Sequence, residues 1–215
     1  MTACLFDLFN TLVQIPRTLP SEREVLGIDQ AQWARVVESP ECCRRRALGE
    51  VAEPMEIVRE IVRAAGKALS PEDEREFLRR RLARWEDAML HVRPEILATL
   101  LALKERGYPL CVVSNADRVD ILHWGSSPLS PLFDEVIFSC DVRMMKPDRE
   151  IYLLAAQRVG CPPEGCVFIG DGGSDELMGA RRVGMRTVQV RHFVQREVEG
   201  ADVIVDRFEE LLDLF

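Results

Sequence analysis

The chain has 215 residues, of which 47% are hydrophobic, so it can bury the core of one large domain or of a core domain with an inserted module. Its 28 Lys and Arg residues against 36 Asp and Glu residues give a formal net charge of −8. This charge argues against general nucleic-acid binding but allows a small anionic substrate in a locally positive site.

Seven cysteines are present, and none forms a C-x-x-C motif, which favours buried thiols in a reducing compartment. We find no signal peptide and no apolar stretch of the ~20 residues that span a bilayer. We therefore expect a cytoplasmic protein that does not enter membranes, either as a monomer or as a homodimer.

Short apolar runs predict β-strands, which are separated in several places by helical patterns. The runs are mostly continuous rather than alternating, as expected of strands covered on both faces. Pro94–Gly107 and Asp148–Gly160 carry helical periodicity and end at glycines. This alternation predicts an α/β fold with a parallel sheet and right-handed crossovers. The predicted strands are Ala3–Leu8, Leu110–Ser114, Glu135–Ser139, Cys166–Ile169, Thr187–Val190 and, more weakly, Asp202–Val205.

Residues 14–92 break this rhythm, because helices and no strand are predicted there. Glu53–Gly66 and Pro71–Met89 each place apolar residues on one stripe, as amphipathic helices do. Residues 1–13 and 93–215 are then the core, and 14–92 are an inserted helical module. Within the module we expect Trp33 and Trp85 to be core residues.

Polar motifs follow predicted strands at four points in the chain. Each motif alone is weak evidence, since a strand-end aspartate is often a turn or helix-cap residue. Together they predict one active site, because the carboxyl ends of parallel strands meet at one edge of a sheet. The motifs are Asp7 with Thr11, Ser114-Asn115, Lys146-Pro147-Asp148 and the glycine-rich Gly170–Asp175.

This set of motifs, in this order, resembles the haloacid dehalogenase-like (HAD) hydrolase superfamily over essentially the whole chain. The resemblance implies a Rossmann-like core with a mobile helical cap, the cap being residues 14–92. It further implies that Asp7 is a nucleophile and that the Thr11 hydroxyl braces its loop. Ser114 and Lys146 would bind the transferring phosphoryl group, and we place Asn115 in the same substrate-binding set.

The resemblance also implies a magnesium site formed by Asp7, Asp171 and Asp175. Mg²⁺ is a hard cation that takes carboxylate, water and phosphate oxygens, which suits these residues. The three aspartates carry −3, and Lys146 with Mg²⁺ carries +3, so the pocket is neutral before an anion arrives. Without the metal, a negative substrate would be repelled by a negative nucleophile.

Phe9 departs from the pattern of the family's phosphatases, which carry a second aspartate two residues after the nucleophile. Its backbone carbonyl can still bind Mg²⁺, but its side chain cannot act as a general acid or base, a role worth about 10²–10⁴-fold in rate. Three functions remain open: a phosphohydrolase, a 2-haloacid dehalogenase-type hydrolase, whose halide leaves without a proton, and a phosphate-binding homologue with weak catalysis.

Asp171 favours the first function, since dehalogenases of the family work without metal and an unpaired Asp171 would repel a haloacid's carboxylate. We therefore predict a Mg²⁺-dependent phosphohydrolase of a small phosphorylated metabolite. The basic run Arg44-Arg45-Arg46 could clamp a substrate anion, but a solvated helix face is the simpler interpretation.

Overall fold

The computed structural model describes residues 2–37 and 39–215. Its strands are β1 (Ala3–Phe6), β2 (Leu110–Ser114), β3 (Glu135–Phe138), β4 (Cys166–Gly170), β5 (Arg186–Val190) and β6 (Val203–Val205). Its α-helices are α1 (Glu22–Val25), α2 (Gln30–Val36), α3 (Pro40–Ala47), α4 (Pro54–Ala64), α5 (Pro71–Leu90), α6 (Pro94–Glu105), α7 (Ser139–Val142), α8 (Arg149–Arg158) and α9 (Glu176–Arg182). All six predicted strands are confirmed.

The six strands form one parallel sheet in the order β3-β2-β1-β4-β5-β6. The strand order runs outward in both directions from β1 and β4, so a crevice opens beyond the carboxyl ends of these two neighbours. Phe6, the last residue of β1, pairs with Val112 on one side and Ile169 on the other. The predicted α/β fold with a Rossmann-like parallel sheet is confirmed.

Side chains of successive strand residues enter two apolar layers, one on each face of the sheet. Cys4 and Phe6 of β1 pack in the same cluster as residues of α6, whereas Ala3 and Leu5 pack with residues of α8 and α9. Every residue of β1 is fully buried, which explains its continuous apolar sequence. Helices on both faces thus hold the crevice-forming strands rigidly in place.

The strand β1 ends two residues earlier than the sequence predicts. The chain turns directly after Phe6, and the backbone N–H groups of Leu12 and Val13 both bond to the carbonyl of Leu8. Asn10 adopts a left-handed conformation with φ 58° within this turn. Asp7 therefore stands at the mouth of the crevice instead of inside the sheet.

Helices α1 to α5 lie within the segment that was predicted to be the inserted module. Helix α5 is the longest and packs against α1 and α4. Trp33 and Trp85 are both buried, as predicted. Within the described part of the chain, none of the helices combines the length and apolar character needed to cross a membrane.

The prediction of a solvated face for the arginine run is wrong at Arg46. Arg45 is exposed and pairs with Glu50 and Glu60. Arg46 is buried, and its guanidinium lies 3.3 Å from the carboxylate of Asp117, in the loop after β2. One turn of helix carries both residues, but only Arg46 faces the core.

Arg46 belongs to a buried ion cluster that joins the helical segment to the loop after β2. The cluster has three cations and three anions, namely Arg46, Arg81, Arg84, Glu22, Asp117 and Asp120. Arg81 is central to it, since its guanidinium contacts Asp117 at 3.1 Å, Asp120 at 2.5 Å and Glu22 at 3.4 Å. Buried charges of opposite sign are tolerated when they are paired this closely.

We expect Arg81→Met to lower the free energy of unfolding by about 3–5 kcal/mol, because it leaves buried carboxylates without their shared cation. Arg79→Met on the same helix is the matched control, since Arg79 is exposed and, among the residues that the structure describes, pairs only with Glu76. Urea unfolding followed by circular dichroism measures both. Equal midpoints for the two variants would contradict the central role of Arg81.

Candidate active site

The carboxyl edge of the sheet collects polar side chains from three strands and one loop. Asp7 follows β1, Ser114 ends β2 and Asp171 follows β4. Lys146 comes from the loop between α7 and α8. The side chain of Asn115 fixes that loop, because it donates to the carbonyl of Lys146 and accepts from its N–H, both at 2.8 Å.

Asp7 is 5% exposed and each of its carboxylate oxygens has a partner. Thr11 Oγ1 donates to Oδ2 at 2.9 Å, and Lys146 Nζ donates to Oδ1 at 2.5 Å. The hydroxyl of Thr11 thus orients the carboxylate itself, whereas the resemblance implied only that it braces the loop around Asp7. The four-residue spacing in the sequence produces this contact through the tight turn after β1.

Lys146 is buried between two carboxylates. Its ammonium group donates to Asp7 and to Glu176 Oε2, each at 2.5 Å, and lies 5.4 Å from the ring centre of Phe168. Burial alone would lower the pKa of Lys146, but Asp7 and Glu176 raise it above its ordinary value. The lysine is therefore a permanent cation beside Asp7.

Asp171 is buried next to Asp7, and its Oδ1 accepts from the N–H of Gly173 at 2.9 Å. Arg196, from the connection between β5 and β6, places Nε 3.1 Å from Oδ2. Burial raises the pKa of Asp171, and the nearby charge of Asp7 raises it further. The carboxylates of Asp7 and Asp171 thus carry more negative charge than the cations around Asp171 compensate.

The third carboxylate of this cluster is Glu176, which the sequence analysis missed in favour of Asp175. Asp175 is exposed, whereas Glu176 is buried and bonds to Lys146 and to the N–H of Gly172. Burial raises the pKa of Glu176, with Asp7 as the next cause. Asp175 thus lies outside this buried cluster, and its role as a Mg²⁺ ligand stays a prediction.

The reason lies in the turn that precedes α9. Gly172, Ser174 and Asp175 all have positive φ, between 52° and 90°, so the chain coils tightly and α9 begins at Glu176. Gly170 is required beside it, because a Cβ there would lie 2.2 Å from the Glu176 carboxylate. Left-handed residues are hard to predict from sequence unless they are glycines, and Ser174 and Asp175 gave no such signal.

Asp7, Asp171 and Glu176 offer carboxylate oxygens that all lie within 4.8 Å of one another. This donor set, all oxygen and all anionic, fits a hard divalent cation such as Mg²⁺. Both oxygens of Glu176 already accept hydrogen bonds. Glu176 thus holds Lys146 and the turn at Gly172, while Asp7 and Asp171 stay the predicted ligands of the ion.

Ser114 is fully buried at the end of β2, and its Oγ has no hydrogen-bond partner among the described residues. A buried hydroxyl without a partner is costly, unless a ligand supplies one. Asn115 uses its side-chain amide on Lys146, so the structure gives it a positioning contact; its role in substrate binding stays a prediction.

Phe9 is half-buried, and its ring lies 4.6 Å from that of Trp85 on α5, centre to centre. The contact joins the loop after β1 to the helical segment. Binding of a cation by the Phe9 carbonyl stays a prediction. At the position where the family's phosphatases carry a second aspartate, this chain has an aromatic contact with the helical segment.

An open parallel sheet that gathers three acids and a buried lysine at its switch point has the architecture of a doubly wound α/β enzyme with a cleft for a charged ligand. The sequence model of the haloacid dehalogenase-like hydrolases matches residues 1–184, and the chain belongs to this family.

Individual relatives include both phosphatases and dehalogenases. A glyceraldehyde 3-phosphate phosphatase of Methanopyrus kandleri is 32% identical over 137 residues, 59% of this chain and 58% of that protein. The chain thus spans less than two thirds of that relative. A solved dehalogenase has a TM-score of 0.73 at 21% identity and covers 100% of this chain and 97% of its own. A HAD-family enzyme of Bacteroides thetaiotaomicron, solved with magnesium and inorganic phosphate, has a TM-score of 0.66 at 19% identity. The match covers 89% of this chain and 94% of that one.

We expect Glu176→Gln to weaken Mg²⁺ binding about tenfold or more, because it removes a buried negative charge and leaves Lys146 less neutralised. Asp175→Asn is the matched comparison, the same class of change at the adjacent, exposed position: it leaves the affinity unchanged if the buried cluster alone holds the ion, and lowers it if Asp175 is a ligand as the sequence predicts. Isothermal titration calorimetry with Mg²⁺ measures both variants. A loss confined to Asp175→Asn would restore the prediction from sequence.

Proposed function

We propose that this chain is a Mg²⁺-dependent phosphohydrolase that acts on a small phosphorylated metabolite through an aspartyl-phosphate at Asp7. The observation that carries the proposal is the buried Lys146, which bonds to Asp7, together with carboxylate oxygens of Asp7 and Asp171 that lie within 4.8 Å of each other. The similarity to a phosphatase over 59% of the chain supports it.

Asp7, Asp171 and, in our proposal, the carbonyl of Phe9 would hold Mg²⁺, whose positive charge would let an anionic phosphoryl group approach an anionic nucleophile. Lys146 supplies a second positive charge at the same point. The unpartnered hydroxyl of Ser114 donates a hydrogen bond to a phosphoryl oxygen in this proposal. These groups are preorganised, since each lies on a buried strand end or a bonded loop.

Asp7 performs the bond-forming step. One carboxylate oxygen attacks phosphorus, the bond from phosphorus to the ester oxygen breaks, and the leaving alkoxide takes a proton from solvent. Water then attacks the phosphorus of the acyl phosphate, which releases inorganic phosphate and restores the Asp7 carboxylate. The hydrogen bond from Thr11 fixes the orientation of the nucleophile throughout.

Phe9 determines which substrates are hydrolysed well. Without a carboxylic acid at this position, the leaving alkoxide departs unprotonated, so esters with acidic leaving groups are favoured. The ring of Phe9 and that of Trp85 together form an apolar wall on the side of the helical segment. We propose that residues 14–92 act as a cap over the cleft formed by 1–13 and 93–215.

A 2-haloacid dehalogenase-type activity is the second candidate, and one observation favours it. The expectation that Asp171 repels a haloacid's carboxylate assumed an unpaired Asp171, whereas Arg196 lies 3.1 Å from it. A metal-free cleft is then less negative than the sequence suggested. Halide also leaves without a proton, which is consistent with the lack of an acid at Phe9.

We expect Asp7→Asn to abolish Mg²⁺-dependent release of p-nitrophenol from p-nitrophenyl phosphate, because the amide is not a nucleophile of comparable strength. The fold should persist, with an unchanged circular dichroism spectrum. Asp213→Asn, an exposed aspartate outside the four motifs, is the matched control and should keep full activity. Unchanged turnover in Asp7→Asn would refute the nucleophile assignment.

Further assays on the same protein preparation distinguish the three candidate functions. Activity that needs Mg²⁺ and disappears with a chelator supports the phosphohydrolase. Halide release from 2-chloropropionate in the presence of the chelator supports the dehalogenase. Binding of a phosphate analogue with no product from either substrate supports a phosphate-binding homologue.

We expect Phe9→Asp to raise phosphatase activity by about tenfold or more, with a larger gain for alkyl phosphates than for p-nitrophenyl phosphate, because only poor leaving groups need protonation. Phe9→Asn is the control, since it removes the ring from Trp85 in the same way without adding an acid. No difference between the two variants, both folded and able to bind Mg²⁺, would count against the missing-acid explanation.

A further inference from the structure

We propose that Arg196 is a built-in competitor of Mg²⁺ at Asp171 and so sets the metal affinity of this site. The inference rests on the proposed function, because it assumes that Asp171 binds Mg²⁺. It concerns a residue that the motif analysis did not single out, 25 positions after Asp171 in the sequence.

The position of Arg196 is built into the fold. Gln189, on β5, donates from Nε2 to the carbonyls of both Asp171 and Arg196, at 3.2 and 3.0 Å. Val198 fits against Gly172, where an added Cβ would lie 2.8 Å from its methyl groups. The segment between β5 and β6 is thus bound to the same turn that carries Asp171.

Arg196 pairs with a carboxylate oxygen of Asp171 that Mg²⁺ would use in our proposal. Arg196 Nε is 3.1 Å from Asp171 Oδ2, while Oδ1 is occupied by the N–H of Gly173. Asp171 Oδ2 has no hydrogen-bond partner among the described residues, so the ion pair with Arg196 is its contact there. A Mg²⁺ ion bound to Asp171 at its usual distance of about 2.1 Å would face a guanidinium group close by, and like charges repel.

The formal charges in the cleft explain why Arg196 and Mg²⁺ would compete for Asp171. Asp7, Asp171 and Glu176 carry −3, while Lys146 and Arg196 carry +2, which leaves −1 in the cleft. Mg²⁺ brings the sum to +1 if Arg196 stays and to zero if the guanidinium moves away. The Arg196 side chain is 42% exposed, so it can move into solvent when the metal binds.

The test is calorimetric titration of the whole chain with Mg²⁺. We expect Arg196→Gln to bind Mg²⁺ about three- to tenfold more tightly than the unmodified chain, with Arg196→Lys between them. The gain should shrink in 1 M salt, which screens exposed charges. Arg191→Gln is the matched control, because this arginine lies in the same connection but pairs with Asp206.

A second readout guards against an effect on folding alone. Mg²⁺ should raise the thermal midpoint of Arg196→Gln by more than that of the unmodified chain at equal concentration, since tighter binding gives greater stabilisation. Equal Mg²⁺ affinities for the two would overturn the inference while leaving the proposed function in place. If neither bound Mg²⁺, the proposed metal site itself would be refuted.

Discussion

The site depends on one constraint: a lysine ammonium group is buried, and it must be neutralised by carboxylates that are also buried. Lys146 is 2% exposed and bonds to Asp7 and Glu176. Removing one ion of such a group leaves a charge that neither solvent nor protein balances. Asp7, Glu176 and the loop held by Asn115 therefore depend on one another for their positions. The turn before α9 belongs to the same arrangement, because it places Glu176 beside Lys146.

The sheet could be predicted from the sequence because its signal is local. Continuous apolar runs such as Leu110–Ser114 report burial on both faces, and the polar residue after each run marks the carboxyl edge. Asp7, Ser114 and Asp171 lie at one edge for this reason. Lys146 comes from the loop between α7 and α8, and its place in the group was predicted from the motif rather than from the strand pattern.

What the sequence could not predict depends on backbone conformation and on distant loops. The choice between the adjacent acids Asp175 and Glu176 is decided by left-handed residues in the preceding turn. Arg46 is buried because a partner, Asp117, lies 71 positions away. Arg196 reaches Asp171 through a connection that carries no motif. In each case the pairing arises from tertiary structure, and no periodicity in the chain records it.

Phe9 connects the chemistry of the cleft to the position of the helical segment. In the proposed mechanism an acid at this position would protonate the leaving group, but it would also lie against Trp85, an aromatic residue of α5 that contacts the guanidinium of Arg81. A charged carboxylate without a partner is costly beside apolar surface, whereas a phenyl ring packs there favourably. The phenylalanine and the buried ion cluster therefore act in the same direction: both hold α5 against the core. The loss of an acid in the cleft and the gain of a firm contact with the helical segment are two consequences of one residue.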